Sequence, residues 1–148
     1  YHTGSVWPHD NGLIAQGLRR YGFTEELGRL AGAMAEAASF FALHQVPELF
    51  AGIPRTESEF PVQCLGANVP QAWAAGSTFS FMQALLGLVP DAARGVLHVA
   101  PALPDWLPEV TLRDLRLGEE TFDLRFWRDG AASRVEVLRG RAEAVVQA

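Results

Sequence analysis

The apolar residues of this chain change their spacing once, near Pro90, and that change limits the folds open to it. Before Pro90 they recur every three to four residues, the repeat of one helix face. Beyond it they alternate with polar residues, the repeat of a strand with one buried side. The sequence therefore predicts a mainly α protein with a small antiparallel β part at its C-terminal end, divided into residues 1–95 and 96–148.

Within the helical part, GLIAQGLRRY at 12–21 sets Leu13, Ile14, Gly17, Leu18 and Tyr21 at helical spacing, with Gly22 as the stop. Thr24 is a good N-cap, and Glu25 and Glu26 suit the positive end of the next helix dipole. That helix is expected to reach about His44, burying Leu27, Leu30, Ala31, Met34, Ala38 and Phe41. Its many Ala and Gly residues predict close packing against more than one neighbour, as in a layered helical assembly. A third helix is expected from Pro70 to Leu88. The connection 45–69, with Pro47, Pro54, Pro61, Gly52 and Gly66, is long for a compact domain, and loops of that length tend to be functional.

In the second part, LHVAP at 97–101 reads as a strand. Val110 and Leu112, then Leu115 and Leu117, then Phe122, Leu124 and Phe126, and finally Val135 and Val137 follow period two. The phase slips between Leu112 and Leu115, which predicts a bulge or bend there. Arg128-Asp129-Gly130 signals a hairpin turn. The sheet is expected to pack on the helices through Phe122, Leu124 and Phe126 and to contribute no catalytic group.

Composition removes several functions. With 49% hydrophobic and 20% charged residues the chain belongs among folded proteins, and its apolar runs are interrupted before they reach bilayer length. The 12 basic residues are all arginine and scattered, and the net charge is −5, so neither nucleic acid nor membrane is an expected partner. The single cysteine, Cys64, rules out an internal disulfide and suits a reducing, cytoplasmic setting. His2, His9, His44 and His98 lack metal-ligand spacing, so no metal is expected, and no cofactor. The start at Tyr1, without initiator methionine or leader, suggests a piece of a longer protein.

The opening segment YHTGSVWPHDN crowds aromatic and hydrogen-bonding residues together with almost no aliphatic ones. A Trp face beside a few fixed polar groups is what a sugar pocket requires, and Trp7, His9 and Asp10 offer that just before a helix. The alternative is an N-capping Asp10 beside a packed Trp7. In the long loop, Glu48 sits between Pro47 and the apolar pair Leu49 and Phe50, where a carboxylate can serve as a general base; the alternative is a surface Glu near a helix end. Glu57 and Glu59 compete for that role from more polar surroundings. Cys64 has no local base to activate it and reads as structural. At the start of the third helix, Gln71 would face the mouth of a pocket, while Trp73 is either pocket wall or core.

Taken in order, YHTGSVWPHDNGLIAQGL, PELFAG, PQAWAAGS, LGLVPDA and PALPDWL resemble the C-terminal end of the amylo-α-1,6-glucosidase (glycogen debranching enzyme) family over residues 1 to about 107. The resemblance implies part of an (α/α)6 toroid of the six-hairpin glycosidase type and an inverting hydrolase acting on an α-glucan or oligosaccharide. It assigns Glu48 as base and Trp7, His9, Gln71 and Trp73 to the sugar pocket, with Asp10 in the pocket wall. The acid would come from an upstream helix hairpin. The isolated chain would then be inactive, and would self-associate or pair with the missing N-terminal part. A non-catalytic carbohydrate-binding or assembly fragment is the alternative.

Overall fold

A computed structural model describes residues 2–144 of the chain. Along the sequence run β1 (Ser5–Val6), α1 (Pro8–Arg20), α2 (Thr24–Ser39), a 3-10 turn (Ala42–His44), β2 (Phe50–Ala51) and α3 (Ala72–Leu86). They are followed by β3 (Val89–Asp91), β4 (Val96–Val99), β5 (Glu109–Leu117), β6 (Glu120–Asp129), β7 (Ala132–Arg139) and β8 (Ala142–Ala144). The chain forms two compact units, Tyr1–Met82 and Gln83–Ala148.

This architecture corrects the expected fold class. The described residues form a mixed α/β protein, with three α-helices and eight strands in three sheets, not a mainly helical one. Nor do the described residues form the expected part of an (α/α)6 toroid, which is built from paired helices, because strands in three sheets are interleaved with the three helices. Strands arise where the helical reading left loop: Val89–Asp91 pairs with β4 although it contains Pro90, which an edge strand tolerates because that side donates no ladder bond. β4 also pairs with β8 in parallel, so this second sheet is not purely antiparallel.

In the first unit, α1 ends in a Schellman cap. Gly22 takes φ +80°, the Phe23 N–H donates to Leu18 O at 2.9 Å, and the Gly22 N–H donates to Arg19 O at 3.2 Å. α2 starts at Thr24 with Phe23, not Thr24, at the N-cap. It stops at Ser39 rather than His44. There the Ser39 hydroxyl donates to Glu36 O at 2.6 Å, and Leu43 and His44 take left-handed φ of 55° and 56° that a right-handed helix cannot continue through. Leu27, Ala31 and Met34 are buried, whereas Leu30, Ala38 and Phe41 are only half-buried. α1 approaches α3 closely because Gly12 has no side chain: a Cβ there would lie 3.3 Å from the Cβ atoms of Ser77 and Ser80. The Gln16 side chain donates to Ser80 O across the same contact.

In the second unit, β5, β6 and β7 form an antiparallel meander. Phe122, Leu124 and Phe126 alternate along β6 and are fully buried, each contributing about 1.5–3 kcal/mol. The register shift falls between Leu112 and Leu115, where the sequence slips phase. Asp114 there has φ 55°, its N–H donates to Asp123 Oδ1 at 2.8 Å, and Arg139 binds both carboxylates. Asp129 pairs with Ala132 to close the β6–β7 hairpin over Gly130 and Ala131, with Gly130 at φ +62°.

Candidate functional site

Three segments of the first unit converge around the opening residues. β1 pairs antiparallel with β2, matching Ser5 to Ala51 and Val6 to Phe50. The Gly52 N–H donates to Gly4 O at 2.8 Å, and a Cβ at Gly52 would sit 2.6 Å from that oxygen, so only glycine fits. The long loop folds back on itself as well: the Ala51 N–H donates to Val62 O, and the Glu48 N–H donates to Asn68 O at 2.9 Å. Glu48 lies two residues before the β1–β2 pairing, and Trp7 directly follows it.

Trp7 is the N-cap residue of α1, where its carbonyl accepts from the Asn11 N–H and the Asn11 side chain. The capping role therefore belongs to Trp7 and not to Asp10, which lies exposed in the first turn. Pro8 takes the first helical position, fully buried, where its missing N–H costs nothing. The opening segment, crowded with aromatic and hydrogen-bonding residues, is the junction of a short strand and a helix start.

Around this junction the aromatic rings form one cluster. Trp73, at the start of α3, stacks on His9 with 4.2 Å between ring centroids and 14° between planes. Trp7 meets His9 edge-on at 5.7 Å, and His2 lies parallel to Trp7 at 5.7 Å. Trp73 remains 50% exposed and is therefore not core. His9 Nε2 lies 3.1 Å from Asp10 Oδ1, while its Nδ1 is closed off from water without a hydrogen-bond partner.

Gln71 caps α3. Its backbone carbonyl accepts from the Ala75 N–H at 2.9 Å and its side-chain oxygen accepts from the Ala74 N–H at 3.2 Å. Half of the side chain expected at a pocket mouth is thus committed to the helix. Glu48, half-buried, is oriented by Asn68, whose N–H and side-chain amide both donate to Oε2 at 3.2 Å. Glu57 and Glu59 are exposed, and the Glu57 N–H closes a turn onto Pro54 O. Cys64 is a free, half-buried thiol.

A separate cavity of about 360 Å³ opens between α2 and the long loop, with Met34, Phe40, Phe50 and Phe60 in its lining. Arg55 at its edge is already engaged by Glu36, to which it donates at 3.0 Å. That apolar hollow does not suit a polyhydroxylated ligand, whose hydroxyls need polar partners.

The structure brings Trp7, His9, Asp10 and Trp73 together and sets Gln71 two residues from Trp73; Glu48 is tied to the same region through Asn68. Sequence reasoning missed His2 as a stacking partner, although it lies in the same aromatic segment. It also missed Asn68, whose link to Glu48 spans 20 positions and leaves no local signal. Among the described residues there is no cluster of three or more His, Cys, Asp or Glu able to hold a metal ion, and no helix long and apolar enough to cross a membrane.

No family model matches this chain, and no curated protein matches it. With the mixed α/β architecture, that overturns the expected membership of the glycogen debranching enzyme family, whose stretches here are short strings without a family-level match.

Proposed function

We propose that the first unit binds carbohydrate through the His2, Trp7, His9 and Trp73 cluster. The carrying observation is the half-exposed Trp73 indole stacked on His9 beside Asp10 and the Gln71 cap. An indole face gives the apolar side of a sugar ring a platform, and the polar groups at its edge meet the hydroxyls. The ligand is a neutral oligosaccharide. Free Cys64 fits a reducing, cytoplasmic setting.

The test is titration calorimetry with maltotriose and isomaltotriose. Trp73→Ala removes a stacking face worth about 0.5–1.5 kcal/mol, so affinity should fall ~2- to 10-fold with folding intact. Unchanged affinity in Trp73→Ala would remove the platform from the account.

Glu48 favours a second reading, in which the same site belongs to an inverting hydrolase of α-glucosidic linkages. A carboxylate held by two donors from Asn68 is placed to take a proton from an attacking water, given an acid carboxyl about 6.5–9.5 Å away across the sugar. Glu48→Gln should then lower turnover ~10²–10⁴-fold while binding survives. If Glu57→Gln or Glu59→Gln does so instead, Glu48 is not the base.

A further inference from the structure

The carbohydrate reading leaves one atom of the cluster unused. His9 Nδ1 is buried and has no hydrogen-bond partner, although every other ring contact of His9 is well defined. Buried polar atoms of this kind are rare, because a group that gives up water and gains nothing is destabilising.

Which nitrogen carries the proton follows from the surroundings. A neutral imidazole has one N–H and one bare acceptor. A proton on Nε2 lies close to the Asp10 carboxylate, whose Oδ1 is 3.1 Å from that nitrogen and whose negative charge favours it there. On Nδ1 it would be a buried donor with no acceptor. The first arrangement is therefore the stable one, and it leaves a bare lone pair on the buried nitrogen. The ring cannot swing freely to relieve it, because Trp73 covers one face at 4.2 Å and Trp7 meets it edge-on.

We propose that Asp10 is a positioning residue, fixing His9 as the Nε2–H tautomer so that Nδ1 is a bare acceptor that takes a ligand hydroxyl. This rests on the carbohydrate reading and sharpens it. A hydroxyl has a hydrogen to give to a bare nitrogen. A simple carboxylate has none, and it would also approach the negative charge of Asp10. The site therefore selects neutral, hydroxyl-bearing ligands over simple anions. Seating the hydroxyl requires the half-exposed Trp73 to leave the His9 face, after which the ligand lies between the two rings, stacked on the indole.

The test is long-range 1H–15N correlation NMR on the whole labelled chain, with and without maltotriose or isomaltotriose. Without sugar, the His9 signals should show a protonated Nε2 and an unprotonated Nδ1. On titration the Nδ1 resonance should move in the direction of hydrogen-bond acceptance while Nε2 stays nearly still. Asp10→Ala should mix the tautomers and lower affinity about tenfold, whereas Asp10→Asn, which keeps an acceptor oxygen, should restore both. A protonated Nδ1 in the free chain overturns the proposal whatever the sugar does. Sugar binding with Nδ1 unmoved also overturns it, and leaves the carbohydrate reading standing. The predicted tautomer with no binding of either sugar overturns the role of Nδ1 in ligand selection and places the failure in the carbohydrate reading itself.

Discussion

In the second unit β6 turns Phe122, Leu124 and Phe126 wholly away from water, whereas in the first unit Leu13 and Ile14 of α1 and Tyr21 at its C-cap face it, at 69%, 52% and 76% exposure. The burial of α1 comes instead from Gly12 and Ala15, on the opposite side of the helix. A strand in a meander pairs both its edges within a few residues, but its apolar face is buried only when a further layer covers it, and along β6 that burial is complete. A helix with apolar residues on both sides needs two neighbours, and here the small-residue side has claimed α3, through Gly12 against Ser77 and Ser80. The contrast is between two elements, a strand whose apolar face is wholly buried and a helix whose large apolar residues still present a contact surface.

The largest effect that sharpens this contrast is expected at β6. Phe122→Ala should destabilise the chain by about 3–5 kcal/mol in chemical denaturation, because the ring is fully buried. A loss below about 1 kcal/mol would mean that the second unit is not tightly packed. Gly140→Ala comes next. Its φ is +90° and a Cβ would fall 2.6 Å from Thr121 O, so the cost should exceed ~1 kcal/mol in the same assay. In the first unit, Leu13→Ser and Tyr21→Ser should each stay within about 0.5 kcal/mol of the parent chain. Sedimentation should show the parent self-associating at high concentration and this pair of changes weakening that association. A costly Leu13→Ser would show that its side chain is covered after all.

The smallest effect concerns acid. The Asp114 N–H, and after it the Arg139 guanidinium, hold the Asp123 carboxyl below the usual carboxylate range. A lowered native pKa means that the native state favours the ionised form. The resulting stability is complete above the ordinary carboxylate range and is lost as pH falls through the lowered native value. Asp123→Asn should therefore flatten the acid limb of a stability-against-pH curve and leave its slope near neutrality unchanged. Screening keeps the effect modest, since the carboxylate lies near solvent.

How much could be read in advance differs between the same two regions. The bulge between Leu112 and Leu115, the Gly130 turn and the inward Phe122, Leu124 and Phe126 face were all legible, because period two and turn chemistry are local properties. Gly22 was legible as the stop of α1 for the same reason. The short strands were not. β1 and β2 exist because distant segments pair, and neither SV nor FA carries a pattern of its own, while β3 is hidden by Pro90 although its partner β4 follows within a few residues. The end of α2 was misjudged by five residues, since helical spacing continues to Phe41 while Ser39 and the left-handed Leu43 stop the helix. At the site, Trp7, His9 and Trp73 were visible as residue types, but their stacking depends on α3 lying beside α1. The capping roles of Trp7 and Gln71 were hidden too: Trp7 caps through its backbone carbonyl alone, and Gln71 turns its side-chain oxygen back onto the Ala74 N–H instead of out to a pocket mouth.

The four tryptophans turn the comparison into a single measurement, because Trp7 and Trp73 lie in the first unit and Trp106 and Trp127 in the second. Each indole N–H gives its own signal in a 1H–15N correlation spectrum of the labelled chain. Titrated with maltotriose and isomaltotriose, the Trp7 and Trp73 signals should shift together along one saturating curve for at least one of the sugars, with Trp106 and Trp127 unmoved. Shifts confined to Trp106 or Trp127, or no shift in any of the four at saturating sugar, would contradict a carbohydrate site in the aromatic cluster.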